Sequence, residues 1–192
     1  LLSDSRYAYR PRPLDAGMSS EIFDRYFENL DPGKVFFTQQ DITRFEALRP
    51  KMGAAVRDGD IAPALEIFAL FKTRVAERTA QARNLLSQDI FDFSGNDRWE
   101  YDRKDAAWAA DGAELDALWR QSVRNDWLRL KLAGKQPDEI RKTLDRRYLN
   151  QANTVAAYND EDAFSSFLNA YTGVIDPHTD YFNPRAARLF NQ

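Results

Sequence analysis

Apolar residues recur at helical spacing along most of the chain. Within residues 20–30 they lie one, three, one and three positions apart, which is the stripe of an amphipathic helix. A turn over 31–33 ends this helix. Thr38, followed three residues later by Asp41, matches a capping box and predicts the start of a second helix. Because Pro50 lies inside the apolar stripe of that helix, we expect it to kink or split the helix.

Later segments repeat this pattern. Pro63 is well placed as the first residue of a third helix, whose apolar stripe continues to Leu85. Three further helices are expected to start near Asp111, Pro137 and Asn159, since each position places a capping residue or an initial proline before an apolar stripe. Predicted helices therefore account for most of the chain.

Three stretches depart from helical periodicity. Residues 1–18 are basic, aromatic and proline-bearing, and they form either a solvated extended arm or a strip that binds an anion or a partner. Residues 89–110 have no period but contain five aromatic side chains, which indicates a long loop pinned to the body. Residues 19–175 are predicted to form the helical domain. Residues 176–192, which follow it, are expected to form a turn and a short helix.

Composition agrees with a helical fold. The chain has 192 residues, of which 43% are hydrophobic and 30% are charged, as in a folded globular protein. Glycine and proline number eight each, which is low for the two together. The fold class expected is all-α, an irregular bundle of six or seven helices with one aromatic-rich loop over about 89–110. No apolar run approaches the length that a membrane span requires.

The chain contains few residues of the types that commonly catalyse reactions or bind metals. It contains no cysteine, which excludes disulfides, thiolate catalysts, zinc fingers and iron–sulfur sites. Its one histidine, His178, excludes a metal centre built from several histidines. The net charge of −3 argues against a nucleic-acid-binding domain, whose usual mark is a strongly basic face. No serine lies in a Gly-x-Ser-x-Gly turn, the usual setting of a nucleophilic serine in one large class of hydrolases. The sequence also leads us to expect no cofactor.

Two charged clusters leave alternatives open. His178 lies between Asp176 and Asp180, which fits a metal or acid–base site or, alternatively, a turn in which the imidazole bonds to the backbone. A basic stretch over 141–147 is interleaved with carboxylates at helical spacing, so it is either a solvated, self-neutralising face or a site for an anionic partner. Residue chemistry alone therefore indicates a helical scaffold or an interaction domain.

Several short runs follow one family pattern in order along nearly the whole chain. They are EIFDRY (21–26), DFSGND (92–97), AW (107–108), AELDALW (113–119), LRLKLAGK (128–135), EIRKTL (139–144), RRY (146–148), IDPHT (175–179), YFNPR (181–185) and FN (190–191). In this combination the chain resembles the N-terminal region of the tail-specific proteases, also called C-terminal-processing proteases, which are serine peptidases with a Ser/Lys dyad. The DPHT run is shared by the wider C-terminal-processing group, so the combination of runs makes the resemblance specific.

The resemblance implies a larger periplasmic serine endopeptidase. In that family a helical N-terminal domain precedes a PDZ domain, which captures exposed apolar C-termini of protein substrates. A protease core follows, with a serine nucleophile and a lysine base. This chain ends where the PDZ domain is expected to begin, and none of the family's catalytic motifs has a counterpart in it. No catalytic residue is therefore carried over, and this segment alone is predicted to be inactive.

The role that the resemblance implies for this segment is architectural. It would pack against its own PDZ domain and protease core, shape substrate access, or dock a helical-repeat lipoprotein adaptor. The candidate interdomain or partner contacts are the residues that lie where helical periodicity fails, namely Trp99, Trp108, Asp176, His178, Tyr181 and Phe182.

The alternative is a stand-alone helical interaction or adaptor module that shares ancestry with such a domain. A reading frame that stops soon after Gln192 would favour this alternative. A frame that continues into a PDZ domain and a Ser/Lys core would exclude it.

Overall fold

The computed structural model describes residues 12–176, which fold as seven α-helices, one 3₁₀-helix and irregular connections without a regular strand. This confirms the predicted all-α class, and the stretch over 89–110 within it contains no helix, as predicted. None of the described helices is both long and apolar enough to cross a lipid bilayer. The α-helices are α1 (Ala16–Leu30), α2 (Gln39–Arg44), α3 (Met52–Asp58), α4 (Ala62–Leu85), α5 (Gly112–Leu132), α6 (Pro137–Ala156) and α7 (Asp160–Ile175).

Helix α1 begins four residues earlier than its apolar stripe predicted. Asp15 has an extended backbone, and its carboxylate accepts a hydrogen bond from the Met18 N–H at 2.8 Å. The sequence hid this cap because Gly17, a poor helix former, lies in the first turn. Met18 is itself buried, so the apolar face of α1 extends further towards the N-terminus than the periodicity suggested.

The second predicted helix is capped and split as expected. The Thr38 N–H donates to the Asp41 carboxylate at 3.0 Å, and the Asp41 N–H donates to the Thr38 hydroxyl at 3.1 Å. These two bonds form the reciprocal capping box. Pro50 lies in the 3₁₀-helix Glu46–Lys51, which separates α2 from α3. Because proline has no N–H, the α-helical hydrogen-bond ladder does not continue through it.

Helix α4 begins at Ala62, one residue before the predicted Pro63, and the three helices after it start at the predicted positions with one difference in capping. The Asp111 carboxylate accepts a hydrogen bond from the Glu114 N–H at 3.0 Å, as the pattern predicted. The Glu114 carboxylate, however, accepts from the Ala110 N–H at 2.7 Å and not from that of Asp111. Helix α6 begins at its proline, and α7 has a complete capping box between Asn159 and Asp162.

The chain divides into two compact units. The first is formed by the described residues up to Pro32, by Ile42–Leu70 and by the residues from Tyr158 onward. Its core forms where α1 packs on α7, and the rings of Tyr26 and Phe167 meet there edge to face, with 5.6 Å between centroids. Both rings are fully buried, and this burial raises the pKa of Tyr26.

The second unit is formed by Gly33–Asp41 and Phe71–Ala157. Here α5 packs on α6, and Trp119 occupies the core between Phe36 and Tyr148. The ring centroids of these two neighbours lie 5.7 and 6.3 Å from that of Trp119. Burial, with the nearby carboxylate of an aspartate on α5, raises the pKa of Tyr148.

Gly134, just after α5, adopts a left-handed conformation with a φ of 83°. Residues with a side chain enter this region at a cost of about 1 kcal/mol. A Cβ at Gly134 would meet no atom within 4 Å, so the cost is conformational and not steric. We expect Gly134→Ala to lower the free energy of unfolding by about 1 kcal/mol relative to Gly95→Ala, as measured by urea denaturation. Gly95 has equally open surroundings without a left-handed φ, so an equal change in both variants would contradict the prediction.

Candidate interaction surface

Residues 89–110, which we call the connecting segment, belong to the second unit and are anchored at both ends. At the start, Ile90 is buried, and Phe91 stacks on Trp127 of α5 with 3.8 Å between ring centroids and 15° between ring planes. At the end, the Gln39 N–H donates to the Ala109 carbonyl at 2.8 Å. These contacts fix where the segment leaves the helices and where it rejoins them.

Trp108 is part of the second anchor. Its ring meets that of Phe37 edge to face, with 6.2 Å between centroids. The Lys34 ammonium group lies 5.5 Å from the centroid of the Trp108 ring and donates to the Ala106 carbonyl at 2.7 Å. Trp108 is thus half-buried and attaches the connecting segment to its own unit, while a contact to another domain or partner stays a prediction for this residue.

Between the anchors, aromatic side chains of the segment face basic side chains. Arg124 and Lys131 of α5 lie 5.6 and 5.5 Å from the centroid of the Phe93 ring. Cation–π contacts at exposed sites contribute about 0.5–1 kcal/mol each. The middle of the segment is therefore held by several weak contacts. Two further pairs of this kind are Arg103 with Trp99 and Arg129 with Tyr101, each at 6.0 Å.

Arg124 organises the first part of this middle stretch. One terminal nitrogen of its guanidinium group pairs with the Asp97 carboxylate, and the other donates to the Asp92 carbonyl. Its buried Nε has no hydrogen-bond partner among the described residues. The N–H and the hydroxyl of Ser94 both donate to the Asp92 carboxylate at 2.9 Å, which lowers the pKa of Asp92. Arg124 of α5 thus joins the two ends of residues 92–97.

Trp99 lies in the wall of a cavity of about 100 Å³ that Phe93 and Leu128 also line. It is half-buried, whereas Tyr101 is 68% exposed. The Tyr101 hydroxyl donates to the Asn125 side chain at 2.9 Å, which orients its ring. Tyr101 therefore presents an oriented ring to the solvent beside the partly exposed ring of Trp99, and we call this pair the outer aromatic surface.

The other predicted contact residues are distributed differently. Asp176 is exposed and ends α7 in the first unit, where its N–H donates to the Thr172 carbonyl at 2.9 Å. The structure thus places Trp99 and Trp108 in one segment and Asp176 in the other unit. Three further candidates, and with them the alternatives for the histidine, lie outside the described residues, namely His178, Tyr181 and Phe182.

Among the described residues, two of the four basic side chains of the stretch over 141–147, those of Arg141 and Arg147, pair with carboxylates. Three of the ion pairs involve residues of this stretch, but in one of them Asp145 pairs with a cation outside it, so the face is neutralised only in part and both alternatives stay predictions. These pairs are Arg141–Asp138, Arg147–Asp126 and Arg83–Asp145, with nitrogen–oxygen distances of 3.3, 3.5 and 2.7 Å.

The second unit also contains a buried carboxylate, Asp41, which is 4% exposed. It accepts two hydrogen bonds from the guanidinium group of Arg74 on α4, at 2.7 and 3.0 Å, and a third from the Thr38 N–H. Burial acts to raise the pKa of Asp41, but these hydrogen bonds outweigh it and lower the pKa below its usual value. The contacts give Asp41 a structural role.

Residues 12–176 contain no group of three or more side chains that could hold a metal ion.

Sequence reasoning did not find the Phe91–Trp127 stack or the cations that face the connecting segment. One signal was present, since Arg124 and Lys131 lie two helical turns apart on one face of a predicted helix. A helix face with two cations beside a loop rich in aromatic residues predicts cation–π contacts between them.

Comparisons with known proteins agree on one family. The family described as "Tail specific protease N-terminal domain" matches residues 4–185 of this chain. The chain is also 37% identical over 188 residues to a protein of Haemophilus influenzae named "Tail-specific protease". That match covers 96% of this chain and 26% of the Haemophilus protein, so the chain spans about a quarter of that relative's length.

Proposed function

The chain belongs to the family of tail-specific protease N-terminal domains, and from that premise we propose that it is a helical scaffold within a larger serine protease and catalyses no reaction itself. In the whole protein it would pack against a PDZ domain and a protease core with a Ser/Lys dyad. The substrates would be proteins with exposed apolar C-termini in the periplasm. The observation that supports this role is the match of nearly the whole chain to only 26% of a protease.

We assign the contact role to the outer aromatic surface. Trp99 and Tyr101 lie on a segment whose two ends are fixed, by the Phe91–Trp127 stack and by the hydrogen bond to Ala109. Because the Tyr101 ring is already oriented by its hydrogen bond to Asn125, a neighbouring surface can bind it with little loss of conformational entropy. Aromatic and arginine side chains are enriched in protein interfaces. The neighbour would be the PDZ domain, the protease core or a helical-repeat lipoprotein adaptor.

The proposal predicts that the 192-residue chain does not cleave a peptide that ends in an unstructured, apolar C-terminal tail. Products would be sought by mass spectrometry after prolonged incubation, with a full-length protease of this family as the positive control. Hydrolysis by this chain that disappears when one of its own serines is replaced by alanine would overturn the proposal.

A further inference from the structure

A second surface feature of this unit is an open groove of about 490 Å³ where α5 ends and α6 begins. We call it the corner groove. Its floor is apolar and is lined by Phe91 and Pro137, which reach the solvent, and by Trp127 and Ile140, which are 5% and 0% exposed. Its rim contains the ammonium groups of Lys131 and Lys135.

The charge on the rim is positive and only partly compensated. Lys135 pairs with Glu139, four residues further along the chain. Lys131 makes no ion pair within residues 12–176, although its charge helps to lower the pKa of Asp92, and its ammonium group lies 5.5 Å from the centroid of the Phe93 ring. Beside the floor, the Arg141 guanidinium group lies 5.6 Å from the centroid of the Trp127 ring, and its charge is already paired with Asp138 at 3.3 Å. A ligand carboxylate at this rim would therefore find an available cation in Lys131.

The combination of an apolar floor with a cationic rim selects a particular kind of ligand. A large apolar side chain is needed to cover the floor, because covering it removes apolar surface from water. A carboxylate next to that side chain is needed to complement the rim. We propose that the corner groove docks a segment of a partner protein in which a large apolar side chain is flanked by acidic residues. This goes beyond the scaffold role, because it assigns the groove its own class of ligand.

The surroundings disfavour a polyanion such as a nucleic acid as the occupant. Binding along a phosphate backbone requires many cations on one face. Here Asp138 and Glu139 pair with Arg141 and Lys135. This leaves Lys131 as the rim cation without an ion pair among residues 12–176, which is too few cations for a long row of phosphates. The groove thus fits a ligand with a few charges around an apolar anchor.

The binding test uses a blocked pentapeptide, N-acetyl-Asp-Glu-Phe-Asp-Leu-amide, titrated into the ¹⁵N-labelled chain. The blocked termini remove the terminal carboxylate, so recognition of a free C-terminus does not contribute. We expect the largest chemical-shift changes at the Trp127 indole N–H and at the Gly134 amide, which both lie at the groove. Two control peptides are expected to leave these signals unchanged, one with lysine in place of the acidic residues and one with serine in place of Phe and Leu.

Charge reversal at the rim provides the matched variants. Lys131→Glu is expected to weaken binding of the peptide about three- to tenfold, since it replaces an attraction by a repulsion at an exposed site. Lys104→Glu reverses an exposed cation of the same unit outside the groove and is expected to change binding less than twofold. Lys131 is exposed, so its replacement leaves the fold intact, which the amide spectrum checks. Phe91→Ala, which removes part of the floor, is expected to weaken binding as well.

Several results would overturn the proposal. They are the absence of shifts at Trp127 up to millimolar peptide, equal effects of the two charge reversals, and shifts at the groove on raising the concentration of the protein alone. The last result would assign the groove to a second copy of this chain. Because the test contains no protease assay, it can fail while the scaffold role stands, and it can succeed if that role is wrong.

Discussion

Replacing Trp119 with alanine is expected to lower the free energy of unfolding by about 3–5 kcal/mol, the range for removing a large aromatic side chain from a core. The Trp119 side chain is 5% exposed and packs between Phe36 and Tyr148. Its indole N–H also donates to the Val35 carbonyl at 2.5 Å, so the substitution leaves a backbone acceptor without its partner. This is the largest single effect that we expect from one substitution.

Urea denaturation followed by circular dichroism measures this effect, and Trp99 provides the matched control. Trp99 is half-buried beside a small cavity, and its cation–π partner is Arg103. We expect Trp99→Ala to change the free energy of unfolding by less than about 1 kcal/mol. A loss at Trp99 as large as that at Trp119 would show that the connecting segment is part of the core and would contradict its assignment as an interaction surface.

Asp41→Ala is expected to lower the free energy of unfolding by about 3 kcal/mol, because it removes two interactions at once. The capping box at the start of α2 is lost with the hydrogen bond from Thr38. Arg74 also loses its bidentate partner and retains its ion pair with Glu77. The remaining pair keeps the loss near the lower end of the range for a buried ion pair. Asp58→Ala, which removes only an exposed pair with Arg57, is the control and is expected to have a small effect.

The same carboxylate predicts a pH dependence of stability. The pKa of Asp41 is lowered in the folded protein, so its contribution is fully present above the unfolded pKa of about 4. The contribution is lost as the pH falls through the lower, folded pKa. We therefore expect stability to decline from about pH 4 downward and the decline to be shallower in Asp41→Asn. Denaturation curves of both proteins across this range test it, and parallel profiles would contradict the assignment.

Most helices could be predicted because their signals are local. The capping box of Thr38 and Asp41, the split at Pro50 and the box at Asn159 each depend on residues within one turn of the helix. The start of α1 was missed because its cap, Asp15, precedes a glycine that weakens the helical pattern. Interactions within one helical turn thus account both for the helix starts that were predicted correctly and for the error at α1.

The interaction surface could be predicted only in part. The absence of periodicity in residues 89–110 indicated a loop, and the five aromatic residues indicated that it is pinned. Which ring is buried and which is presented depends on side chains far away in sequence, such as Trp127 for Phe91 and Asn125 for Tyr101. Spacing along the chain contains no information on these pairings, since they are set by how the segment crosses α5.

The first unit cannot complete its core until nearly the whole described chain has been synthesised. Helix α1 buries Tyr26 against Phe167 of α7, and closing so long a loop is slow. The second unit consists mainly of one continuous stretch, Phe71–Ala157, and needs no residue beyond it. During translation we therefore expect the second unit to fold first. Until α7 emerges, Tyr26 on the apolar face of α1 lacks the ring of Phe167, so we expect a chaperone that binds apolar segments to bind this face.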